Sequence, residues 1–190
     1  MENKKYLPVK IFHLILMAAS IVLYAITLIS FSRERSALNN ISTVVNIAAM
    51  LAGIVYLAFG YKKKAHLCYK LFMWLFAISA IFQYVAIYRD AVSGPVYVTF
   101  VKFITFALII LLAGAKDYGA VKSNIISLAI VALNIFTLVD SCIFAADVFV
   151  NAGLSVPPLI FTSIGQLVLA STAAFMVCAK YLDKAERGAK

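Results

Sequence analysis

Long apolar runs and short polar breaks alternate along the chain, with runs at about 10–31, 41–60, 70–88, 97–115, 124–146 and 159–179. A helix of ~20 predominantly apolar residues crosses a ~30 Å hydrocarbon core. The pattern therefore predicts an all-α protein, a polytopic membrane bundle of six transmembrane helices. Runs and short connections use nearly all of residues 1–190, which leaves a single membrane domain. The first run follows Lys4, Lys5 and Lys10, as a signal peptide would, but it outlasts an h-region of ~7–15 residues. No A-x-A-like cleavage pattern follows it, so it reads as a retained helix.

The polar exceptions inside the runs are not scattered. Asn46, Gln83, Lys102, Asp140 and Gln166 each lie a few residues to the same side of a run's midpoint, and Tyr24 and Thr27 match that depth in helix 1. At ~1.5 Å rise per residue they form one layer roughly 4–9 Å from the midplane. Helical spacing also groups them by face. His13, Ser20, Tyr24 and Thr27 share a stripe in helix 1, and Ser42, Asn46, Ala49 and Gly53 share one in helix 2. In helix 5 Asn134, Thr137 and Ser141 align, with Asp140 beside them; in helix 6 the stripe is Thr162, Gln166, Ala170 and Ala173. Polar groups in hydrocarbon are costly and usually face the bundle interior. Lys102, Asp140, Asn46, Gln83, Gln166, Asn134, Thr137 and Tyr24 are thus the candidate ligand-binding residues, Lys102 and Asp140 being a candidate charge pair.

Composition agrees with the membrane reading: 64% of residues are apolar and mean hydropathy is +0.98, against ~45–50% apolar in soluble proteins. The net charge of +9 would suggest nucleic acid, but its distribution points elsewhere. Lys4, Lys5, Lys10, Lys62, Lys63, Lys64, Lys70, Lys116, Lys122, Lys180, Lys184, Arg187 and Lys190 all fall at alternate connections, and only Arg33, Arg35 and Arg89 fall at the others. Lys/Arg bias in short loops sets orientation. It predicts both termini in the cytoplasm, as for a protein of a bacterial cytoplasmic membrane, with the polar layer in the outer half. The basic face also suits anionic headgroups of the lipid bilayer.

The helices divide into three hairpins. Each even-numbered helix opens with Thr (Thr43, Thr99, Thr162), carries a polar residue soon after (Asn46, Lys102, Gln166) and ends at Lys (Lys62, Lys116, Lys180), a faint echo of repetition. The last outer loop, Asp147–Pro158, is the longest, and Pro157 and Pro158 suit the first turn of helix 6. This layout resembles the bacterial acid-resistance membrane family built from duplicated hairpins, without that family's glycine and proline pattern. It is also similar in layout to the substrate-binding subunits of energy-coupling-factor vitamin transporters. Their first-helix A-x-x-x-A docking signature is absent: helix 1 reads Met17-Ala18-Ala19-Ser20. The nearest small-x-x-x-small pattern is in helix 2, where Ala48, Ala49, Ala52 and Gly53 would make a docking face for a membrane partner.

Little points to catalysis. Cys68, Cys142 and Cys178 form no C-x-x-C pair, and only Cys68 and Cys178 share a side, which argues against a structural disulfide. His13 and His66 lie near the basic ends; His66 with Cys68, even joined by Cys178, falls short of a zinc ligand set. His66 in a loop also argues against haem held between two histidines, so no cofactor or metal is expected. Asn40-Ile41-Ser42 fits the N-x-S pattern but abuts the membrane. Tyr61, Tyr69, Tyr88, Tyr97 and Tyr181 fall at span ends like an interfacial belt, and Trp74 lies slightly deeper. The reading is a small-molecule or ion binding or transport protein with an outward-facing polar cavity. The alternatives are a non-catalytic membrane subunit and, last, an intramembrane enzyme.

Overall fold

Six helices are present in a computed structural model that describes residues 6–33, 35–59, 65–90, 96–114, 118–152 and 157–188. Side chains of 65–66, 87–90, 148–149, 151–152, 157–158 and 182–188 are outside that description, and with them His66, Tyr88, Arg89, Asn151, Pro157, Pro158, Lys184 and Arg187. Lys4, Lys5, Tyr61, Lys62–Lys64, Lys116, Gly153 and Lys190 likewise lie outside the described residues. The helices are α1 (Leu7–Phe31), α2 (Ala37–Phe59), α3 (Ala65–Asp90), α4 (Val96–Ala113), α5 (Ala120–Ala152) and α6 (Pro157–Gly188). All six are long and apolar enough to cross a membrane. The protein is an all-helical, multi-pass membrane protein in contact with lipid.

Local chemistry explains where several helices begin. Pro8 stands in the first turn of α1, where its missing N–H costs nothing. Ser36 caps α2: its Oγ accepts the Asn39 N–H at 3.3 Å, satisfying one of the helix's orphan donors. Between α4 and α5 the chain turns at Gly119, whose φ of 79° a side-chain-bearing residue rarely adopts.

Each helix packs against the next in sequence, and α6 returns to α1, closing a ring; α6 also touches α2 past α1. The most extensive contact joins α2 to α3, which the three-hairpin division separates. Inside, Met17, Tyr24, Met50, Phe72, Phe76, Met73, Leu169 and Met176 are almost wholly buried and fill the centre. Outside, exposed side chains such as Phe12, Ile15, Val22, Ile29, Val44, Leu51, Trp74, Phe100 and Ile143 give α1 to α5 an apolar outer stripe. In water such a surface would mark association; on spans of this length it is the lipid face.

The residues buried in α1 are His13, Met17, Ser20, Tyr24 and Thr27, the expected stripe with Met17 added. Ser42, Asn46, Ala49 and Gly53 are likewise buried in α2, and Gln166, Ala170 and Ala173 in α6. The small-residue face of α2 is therefore spent inside the bundle. A Cβ on Gly53 would stand 3.0 Å from both Met17 Sδ of α1 and Phe72 Cδ2 of α3. Ala49 and Ala52 are buried with it and Ala48 is half-buried, so these four residues offer no open docking face to a partner, contrary to the expectation from sequence. Tyr69 also departs from the belt reading: it is buried, with its ring 5.6 Å from that of Tyr56.

Candidate functional site

Four helices bring polar side chains together in the half of the bundle away from Lys10, Lys70, Lys122 and Lys180. Tyr24 of α1 is wholly buried; its hydroxyl donates to the Thr162 carbonyl of α6 at 3.2 Å and accepts from Asn46 Nδ2 of α2 at 3.2 Å. Asn46 Oδ1 accepts in turn from Ser79 Oγ of α3. Gln166 Nε2 of α6 donates to the same Ser79 Oγ at 3.2 Å, and Ser42 Oγ lies 3.1 Å from it and 3.2 Å from the Ser79 carbonyl.

The hydroxyl hydrogens of Ser79 and Tyr24 can be assigned. Ser79 has one hydroxyl hydrogen and gives it to Asn46, so towards Gln166 and Ser42 it can only accept. Tyr24 gives its hydrogen to Thr162, so Asn46 must turn its amide nitrogen towards Tyr24 and its oxygen towards Ser79. The network thus has one consistent direction, and every member is neutral.

The tight fit of Tyr24 depends on Gly165. A Cβ at that position would overlap Cζ and the hydroxyl of the tyrosine, so only glycine lets α6 approach this ring. At the end of the network Arg35, half-buried, donates from Nη1 to Thr43 Oγ1 at 3.0 Å and from Nη2 to the Asn39 carbonyl at 3.4 Å. Its charge acts on Tyr24. Burial disfavours the charged form of the Arg35 guanidinium, which nonetheless stays protonated.

Among the described residues two buried polar atoms in this half have no partner, Gln83 Nε2 and Asn40 Oδ1. Gln83, one helical turn beyond Ser79, is buried, and its Nε2 finds no acceptor. An unsatisfied buried amide costs roughly 1–3 kcal/mol. Asn40 Oδ1 is also without a partner, but its Nδ2 donates to the Ser32 carbonyl at 2.8 Å.

The remaining residues of the expected layer lie elsewhere. Asn134 and Thr137 turn back on their own helix, donating to the Ile130 and Leu133 carbonyls at 2.8 and 2.9 Å. Ser141 donates to the Thr137 carbonyl, so Ser163 must be the donor across the 2.8 Å contact that ties α5 to α6. Asp140 accepts from the Tyr97 hydroxyl at 2.7 Å. Its field reaches Lys102, but among the described residues no ion pair joins the two. Among the described residues the layer is thus split into a four-helix network, an α5–α6 tie and a Tyr97–Asp140 contact.

Ser79 belongs to the network, and Arg35 and Gly165 adjoin it, although the reading from sequence gives none of the three a place in the site. A serine in an apolar helix is inconspicuous, and nothing in the spacing around Gly165 announces a tyrosine from another helix. His13 lies far along α1, its ring stacked on Phe175 with centroids 4.9 Å apart and Nδ1 3.2 Å from Thr172 Oγ1. No family model, curated protein or solved structure matches the chain. The two resemblances in layout therefore rest on span number and length alone.

Proposed function

We propose that the protein binds a small polar or anionic solute, for transport across the membrane, at the Tyr24–Asn46–Ser79–Gln166 network. The Lys/Arg bias supports a cytoplasmic basic end with both termini on that side, so the solute enters from outside, past Arg35. The observation that carries this reading is Gln83: a buried amide with an unused donor, beside a network in which the Tyr24 and Ser79 hydroxyl hydrogens are already committed. A carbonyl, carboxylate or hydroxyl of a solute would supply the missing acceptor, and Arg35 favours negative charge over positive. The absence of a carboxylate from the network disfavours cations. The site suits binding better than catalysis, because no nucleophile and base meet in it. A purely structural membrane subunit is favoured less, since the small-residue face of α2 is already occupied.

Gln83→Leu separates a ligand contact from a packing role. Removing an unsatisfied amide should leave the melting temperature of the detergent-purified protein unchanged or raised. The same variant should lose the thermal shift that amino acids, carboxylates, sugars or inorganic anions produce in the wild type, together with uptake of the active solute into proteoliposomes. A panel in which no solute shifts the wild type, or in which Gln83→Leu responds like the wild type, counts against the reading.

A further inference from the structure

A cavity lies at the opposite end of the bundle, where the N-terminal parts of α3 and α5 meet the C-terminal parts of α4 and α6. Its volume is about 150 Å³. Met73 and Val177, both buried, line its inner part, and Lys70, Lys180, Tyr118, Tyr181 and Ser123 supply its polar wall. Lys180 is half-buried, with Nζ 5.9 Å from the Tyr69 ring centroid and 5.3 Å from that of Tyr181. Ser123 and Tyr181 hold their hydroxyls together at 3.0 Å.

Among the described residues no carboxylate lines this cavity. The charge around it does not supply one on balance either. The connections at this end carry the thirteen basic residues named above and four acidic ones, Glu2, Asp117, Asp183 and Glu186, so the whole net charge of +9 resides here. Two ammonium groups in one cavity wall repel each other, and aromatic faces compensate a cation only weakly. Oxygens of an anion would relieve both, with hydroxyls beside them to donate.

Size narrows the occupant. Small-molecule pockets run ~300–1,000 Å³, so a cavity of about 150 Å³ suits a compact anion. Lysine binds phosphate as a point charge and needs no bidentate geometry. We infer that the cavity between Lys70 and Lys180 is a phosphate-binding site, filled by inorganic phosphate or by the phosphate of an anionic lipid headgroup. This inference is independent of the site at Gln83.

The test uses the full chain, delipidated in detergent, with thermal shift as the readout. Sodium phosphate is compared with sodium chloride at matched ionic strength, and dihexanoyl phosphatidic acid is compared with dihexanoyl phosphatidylcholine. A saturable rise with phosphate assigns the free ion, and a rise with phosphatidic acid alone assigns the headgroup. Either rise should weaken by about tenfold or more in apparent affinity in Lys180→Gln and in Lys70→Gln, as loss of a charge-assisted bond implies. Lys70 is exposed, so its variant tests the site without disturbing packing. Lys122→Gln removes an exposed charge at the same end that does not line the cavity, and it should behave as the wild type. No rise with either probe overturns the inference, as does an equal loss in Lys122→Gln, which means diffuse attraction to a basic surface.

Discussion

Gly165→Ala introduces one methyl group at the point where α6 meets the Tyr24 ring. The new Cβ overlaps Cζ and the hydroxyl of a wholly buried side chain, and the ring has little freedom to yield. Overpacking of this kind costs about 1–3 kcal/mol. Displacing the ring also strains the bonds from Tyr24 to the Thr162 carbonyl and from Asn46 Nδ2 to Tyr24, each worth about 0.6 kcal/mol in a membrane protein. The expected loss is about 2–4 kcal/mol in unfolding free energy. It can be measured by reversible denaturation in mixed detergent and dodecyl sulfate micelles. The cause is checked by repeating the substitution in a Tyr24→Ala background. There the clash is absent, and Ala exceeds Gly in helix propensity by about 1 kcal/mol, so Gly165→Ala should become neutral or stabilising. An equal cost in both backgrounds, or no cost in the first, refutes the packing of Tyr24 on Gly165.

Two further comparisons separate long-range from local polar contacts. Asn46→Leu severs links to α1 and α3 and should cost about 1–2 kcal/mol, whereas Asn134→Leu gives up only a bond to its own helix and should stay within about 0.5 kcal/mol of the wild type; the same denaturation assay ranks them. In double-mutant cycles Asp140→Ala should couple more strongly to Tyr97→Phe than to Lys102→Met, because the carboxylate accepts the tyrosine hydroxyl and makes no ion pair with the lysine among the described residues. The reverse ranking indicates a Lys102–Asp140 pair.

Level along the bundle axis was readable from the chain for Tyr24, Asn46 and Gln166, and rotation between helices was not. Counting from run midpoints places Tyr24, Asn46, Gln83 and Gln166 at one level, and helical spacing identifies the buried stripe of α1. Lys102 and Asp140 share that level, yet the contacts of α4 and α5 keep them out of the network: level says how far a residue lies from the midplane, and packing decides which neighbour it meets. Asn134 and Thr137 illustrate a second blind spot. Their spacing marks an inward face correctly, but a carbonyl four residues back satisfies each one, leaving little for another helix or a ligand. Ser79 is the converse case. Nothing in its surroundings, Ala77-Ile78-Ser79-Ala80, marks it as the atom on which three helices converge. The α2 small-residue pattern was visible as a close-packing surface, but its partners turned out to be Met17 and Phe72 of the same chain.

The most direct test of a solute site reached from the side away from the lysines is cysteine accessibility at Gln83. In a background with Cys68, Cys142 and Cys178 replaced by serine, Gln83→Cys should react with a membrane-impermeant methanethiosulfonate added on that side, and a bound solute should slow the reaction. Val85→Cys, two residues along on the exposed face of α3, should stay unmodified in lipid. Failure of Gln83→Cys to react from that side, or reaction only from the side bearing the lysines, contradicts the proposed site.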